Sequence, residues 1–216
     1  MFVESMTFEE IRHEFEKEKQ TLTNKIFFHS NQVLKLMRKT NMSKYDKYFE
    51  YTSPRKNRWI YRFEATGKGE NHFHITNYCY FYTHNSYAVI TYLPDNGHLV
   101  YFSGHFFTRF LQREKLETES MHDIVRTYFN TNRQIITEGI KEEKKGTGIY
   151  QGFIQSKTGV GLGYIYSKVK VTEMRTFITN DMLKGNQVER SKQLEEKFKI
   201  HIVRNSPAAQ QAQLAS

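Results

Sequence analysis

The stretch His98–Arg113, HLVYFSGHFFTRFLQR, changes its hydrophobic period at its centre. Residues His98 to Phe102 form a short apolar run of strand type. From Ser103 onward the period lengthens. Phe106, Phe107, Phe110 and Leu111 fall on one helical face, and Ser103 stands where an N-cap is needed. A strand therefore feeds a helix directly, which is neither an all-β nor an all-α pattern.

Working toward the N-terminus, Pro94-Asp95-Asn96-Gly97 is a turn signal. Before it, Arg58–Glu64, His72–Thr83 and Ser86–Leu93 are rich in aromatic and β-branched residues, as strands are. Thr66 to Gly69 reads as the turn between the first two. Residues 41–57 read as a polar loop with aromatic anchors, ended by Pro54 and Asn57. Thr7 and Glu10 form a capping box that opens a helix over about 7–25. Ser30 to Lys39 reads as a second helix.

Toward the C-terminus, a helix is expected over Glu119–Phe129. Strands are expected at Gln134–Thr137, Ile149–Ser156, Gly161–Val171 and Arg175–Ile178. Asp181–Ile202 reads as helical, with a break near Gly185. The fold class is α+β: a curved antiparallel sheet of at least four strands, helices packed on one side, and an N-terminal helical segment. The domain reading is one unit over 1–206, with a helical extension over 1–57, a sheet-containing core over 58–206, and a disordered tail over 207–216.

Lys plus Arg number 32 against 23 Asp plus Glu, a formal charge of +9. That excess favours a polyanionic partner, with RNA or another nucleic acid first. The single cysteine, Cys79, excludes an intrachain disulfide framework and a cysteine-based zinc site. It sits in an aromatic run and reads as a buried hydrophobe. No apolar h-region opens the chain and no run of ~18 apolar residues occurs, so no membrane association and a cytoplasmic location are expected.

His105, Arg109 and Arg113 stand at i, i+4 and i+8, so one helical face presents an imidazole followed by two guanidiniums. That set suits cleavage of RNA by its own 2′-hydroxyl. Imidazole can move a proton near neutral pH, and guanidinium can hold the developing phosphate charge. The segment Ser103-Gly-His-Phe-Phe-Thr-Arg-Phe-Leu-Gln-Arg113 and the later Met174–Thr179 resemble the H-x-x-x-R-x-x-x-R pattern of small bacterial toxin-like domains. Some of these are related to RelE-type and colicin-type ribonucleases. The resemblance covers about residues 86–180. It implies a metal-independent endoribonuclease without a cofactor, with His105, Arg109, Arg113 and Thr176 as catalytic residues and a neutralising protein as partner.

Other segments carry separate expectations. Arg55, Arg58, Trp59 and Arg62 interleave cations with rings, as single-stranded nucleic acid requires. Lys157 precedes the glycine-rich Gly159–Gly163, which fails the Walker pattern and reads as a hairpin turn or bulge that could touch a phosphate. His72 and His74 share a strand face and could hold a metal with His84, His98 or Glu70. The catalytic reading invokes no metal. Two further readings stand beside it, a non-catalytic nucleic-acid-binding accessory protein of a mobile element and a metal-binding β-rich domain.

Overall fold

A computed structural model describes residues 1–65, 73–84, 86–93, 97–118, 120–133 and 135–204. Helix α1 spans Phe8–Thr40. Five strands follow: β1 (Tyr45–Thr52), β2 (Arg58–Ala65), β3 (Phe73–Thr83), β4 (Ser86–Leu93) and β5 (His98–Phe102). Helices α2 (Gly104–Arg113) and α3 (Met121–Thr131) connect β5 to β6 (Ile136–Glu142), β7 (Ile149–Gln155), β8 (Gly159–Tyr166) and β9 (Val171–Thr179). A 3-10 turn at Asn180–Met182 leads to α4 (Asn186–Arg204).

The sheet order is β1-β2-β3-β4-β5-β9-β8-β7-β6. It consists of two antiparallel meanders, β1–β5 and β6–β9, joined by one parallel pair in which Leu99 stands opposite Val171. The α+β class and the antiparallel sheet are thus present. The parallel joint is a consequence of α2 and α3. They carry the chain to the far edge of the sheet, and the second meander returns inward to meet β5.

Alternation along the strands sorts the core into two layers. Trp59, Tyr61, Phe63, Cys79, Ala88, Ile90 and Leu99 pack with Ile11, Phe15, Leu22, Val33 and Met37 of α1. Ile60, Tyr78, Val89, Val100, Phe102, Met174 and Phe177 pack with α2 and α3 on the opposite face. Residues Leu162, Tyr164 and Tyr166 share one face of β8. Tyr166 meets Phe8 of α1 at 4.7 Å between centroids, and Leu162 packs in the cluster of Leu194 from α4. Helices α1 and α4 therefore cover one face, while α2 and α3 sit together on the other.

The aromatic share of the sequence is concentrated under α2. Phe106, Phe107, Phe110 and Tyr128 are at most 1% exposed; Phe106, Phe110 and Tyr128 meet Phe102 or Phe177 edge-on at 4.9–6.3 Å, and Phe107 meets Phe102 tilted at 5.8 Å. Such pairs contribute about 0.5–1.5 kcal/mol each beyond area burial. Helix α2 comes close to the sheet because glycine lies beneath it. A Cβ on Gly161 would stand 3.1 Å from Phe106 Cε2 and 2.8 Å from Met174 Sδ. The glycine-rich segment is thus a strand, β8, with a bulge between Leu162 and Gly163, rather than a phosphate loop.

Two local expectations need correction. The helices expected over 7–25 and 30–39 are one helix. Ser30 does not cap a new one, because its hydroxyl donates to Ile26 O at 2.8 Å, a bond made inside a continuing helix. Residues 41–57, expected as a loop in a helical extension, contain the edge strand β1. Its Tyr45, Phe49 and Tyr51 turn toward α1, and β2 supplies its hydrogen bonds. His72, the turns at 66–69 and 94–96, and the tail at 207–216 lie outside the described residues.

Candidate nucleic-acid interface

Strand alternation divides the Arg-aromatic segment 55–62. Trp59 faces α1, is 1% exposed, and packs against Phe2 and Phe15. Its Nε1 donates to Glu18 Oε1 at 2.9 Å. No base can reach that ring, so Trp59 is a core residue. Arg55 places Nε and Nη2 on the two oxygens of Glu14 at 2.5 and 2.7 Å. Arg62 points to the opposite face with a side chain only 6% exposed, bonded twice to Asp46 at 2.8 Å. Arg58 is exposed but paired with Glu50 at 2.5 Å, above the ring of Tyr80.

These arginines therefore serve the fold. The Arg55 guanidinium holds the Glu14 carboxyl down at about 2, and Arg62 holds Asp46 below the ordinary carboxylate range. Contacts offered to phosphate by Arg55 and Arg62 would first have to break charge-assisted bonds. Lys157 is exposed in the β7–β8 turn and remains open to a ligand.

On α2, Ser103 Oγ accepts from Phe106 N as the N-cap. His105 is exposed, and its Nε2 accepts from Arg109 Nε at 3.3 Å. That bond requires the tautomer with the proton on Nδ1. Arg109 also donates to Gln112 at 3.0 Å. Arg113 is half-buried, and its Nη1 has no hydrogen-bond partner among the described residues. His105 and Arg109 are thus brought together on one exposed helical face.

Thr176 does not join them. Met174 and Phe177 lie under α2, and the bulge leaves Arg175 as the extra residue, so Thr176 pairs with Leu162 on the other face. There it borders a groove of about 450 Å³ between β7–β9 and the start of α4. Arg175 and Arg190 also line it, ion-paired to Glu173 at 2.9 Å and Glu138 at 2.8 Å. The sheet separates Thr176 from His105, which rules out one shared constellation of the four.

Two of the histidines that could hold a metal, His74 and His98, have other partners. His74 Nε2 contacts Arg133 O at 2.9 Å, and His98 Nε2 contacts Thr172 Oγ1 at 2.6 Å. Burial lowers the pKa of both. Among the described residues, no three His, Cys, Asp or Glu side chains come together as a metal site. Cys79 is 1% exposed in the α1-facing core, where burial pushes its thiol pKa up.

A further surface stands out along α1. Residues 1–18 contain Glu4, Glu9, Glu10, Glu14, Glu16 and Glu18. Residues 19–45 contain no acid at all, while Lys19, Lys25, Lys35, Arg38, Lys39 and Lys44 contribute +6 of the formal +9. This polarity complements the α1 dipole, negative side chains near its start and positive ones near its end. Among the described residues, Lys19 alone of the six has a carboxylate partner, Glu16 at 3.9 Å. Of the nine exposed large hydrophobics among the described residues, four, Phe27, Phe28, Leu36 and Met42, lie in the same stretch. The acid-free interval was visible in the sequence. The exposure of Phe27 and Phe28 beside it follows only from the fold.

No protein-family model matches the chain, and neither a characterised protein nor a solved structure matches it. Among the described residues, no helix is long and apolar enough to cross a membrane.

Proposed function

We propose that this chain is a nucleic-acid-binding protein that captures RNA through the basic half of α1, and that it works by binding rather than by catalysis. The supporting observation is the segregation of charge. Five cations between Lys25 and Lys44 have no carboxylate partner among the described residues, and no acid lies between Glu18 and Asp46. Elsewhere Arg55, Arg58, Arg62, Arg133, Arg175 and Arg190 are held in ion pairs. A phosphate chain along the second half of α1 would meet cations without carboxylate partners and no acid in the same stretch.

The test is a fluorescence anisotropy titration of short labelled RNA at rising salt. Binding should fall linearly on logarithmic axes, with a slope near −3 to −4 if the five cations each displace a counterion from a single strand. A flat slope, or no complex at low salt, would remove the reading.

A second reading, a metal-independent ribonuclease on α2, draws support from the contact between His105 and Arg109. Thr176, the fourth residue of that set, lies across the sheet from them.

A further inference from the structure

We infer that Phe27 and Phe28 form a stacking platform for unpaired bases, so that the α1 surface selects single-stranded over duplex RNA. The inference rests on the nucleic-acid reading above and names the form of the ligand. Phe27 is 67% exposed and Phe28 is 54% exposed. They are adjacent on a helix, so their rings splay by ~100° and cannot stack on each other. Each is left in water although its burial would be favourable.

The platform is rigid. Leu22 on one side and Val33, Leu34 and Met37 on the other are buried, so α1 is fastened to the sheet before and after the two rings. Phe28 also meets His29 edge-on at 5.5 Å, and His29 lies against Phe49 at 4.8 Å. The ring is thus oriented before any ligand arrives.

The surroundings point to a base rather than to lipid. Asn24 is one turn before both rings and Asn31 one turn after both, within neighbour distance on a helix. Asn24 is exposed. Side-chain amides can pair with the polar edges of a base whose face lies on a phenyl ring. A bilayer would have to desolvate those same amides, which is unfavourable without hydrogen-bond partners. Lys35, Arg38 and Lys39 are exposed two to three turns further on, placed for the phosphates that flank stacked bases. In a duplex the base faces are already stacked, and only the phosphates would be available.

The experiment compares wild type with Phe27→Ala and Phe28→Ala, singly and together, against a single-stranded oligouridine, a blunt RNA duplex, and vesicles of phosphatidylserine and phosphatidylcholine. Both rings are exposed, so the variants should melt as wild type does. Wild type should prefer the single strand. Each substitution should weaken that complex by about 5- to 100-fold, from a stacking contribution of about 1–3 kcal/mol per base. Duplex affinity and the salt slope should not move. Equal affinity for single strand and duplex, unaltered by either substitution, would overturn the platform and leave the charge-based reading intact. Ring-dependent binding to the vesicles, with ring-independent binding to RNA, would overturn it in favour of a membrane surface. Failure of wild type to bind either RNA at low salt would defeat the nucleic-acid reading itself, and the platform with it.

Discussion

Trp59 donates its indole N–H to Glu18 Oε1 at 2.9 Å, beneath α1 and away from solvent. The same carboxylate oxygen accepts from Asn57 Nδ2 at 3.0 Å. The one tryptophan of an Arg-aromatic segment is therefore a tie between helix and sheet. Trp59→Phe removes a charge-assisted bond from a carboxylate only 2% exposed. Such a loss should cost about 1.5–3 kcal/mol in urea unfolding. RNA affinity of the folded variant should equal wild type. A stable variant with impaired RNA binding would return Trp59 to the interface.

Stability should depend on pH through groups whose folded and unfolded pKa values differ. Burial lowers His74 and His98 below the ordinary 6.5; at His74 the hydrogen bond with the Arg133 carbonyl and the charge of Glu64 oppose it while the charges of Arg133 and Arg62 add to it, and at His98 Arg12 and Lys170 add to it. The unfolded chain then binds protons that the folded chain refuses. The stability these residues contribute is complete above 6.5 and is lost as pH falls below it. The urea midpoint should decline between about pH 7 and about pH 5, and His74→Gln with His98→Gln should flatten that decline. Glu14 acts in a separate window. Lowered from 4.5 to about 2 by Arg55, it contributes stability above 4.5 that is lost as pH falls toward 2. An unchanged decline in the histidine variant would contradict the assignment.

How much of this was readable beforehand follows from which interactions are local. The period change at Ser103, the capping box at Thr7 and the aromatic strands from Arg58 to Leu93 depend on neighbours in sequence, and all are present in the fold. Edge strand β1 was missed because Asp46, Lys47 and Glu50 give it a loop-like polarity, and its cover comes from distant elements, α1 on one side and Tyr48 against α3 on the other. The parallel joint pairs Leu99 with Val171, a separation no local pattern reports. The candidate interface failed for the same reason. Arg55 seemed available because Glu14 is 41 residues away, and Arg62 because Asp46 is on the adjacent strand. His105 and Arg109 were found because one turn of helix joins them.

RNA incubated with the protein in EDTA should remain intact, with His105→Ala indistinguishable from wild type by gel electrophoresis. One exposed imidazole bonded to a guanidinium supplies one of the two proton transfers that transesterification requires. Cleavage by wild type that His105→Ala lowers by about 10²-fold or more would instead establish the ribonuclease reading on α2. Substrate lacking the 2′-hydroxyl would then bind and stay whole.

The most direct test of the account removes equal charge from two places. Lys35, Arg38 and Lys39 lie on the acid-free half of α1, whereas Lys141 near the end of β6 and Lys144 and Lys145 in the β6–β7 turn lie elsewhere, and all six are exposed. Each set is changed to Gln, and single-stranded RNA binding is followed against salt. The α1 variant should lose about 2 from the magnitude of the logarithmic slope, three contacts at roughly 0.7 each, while the turn variant keeps the wild-type slope. Equal losses in both variants would show that net charge alone draws the RNA, and would contradict a site on α1.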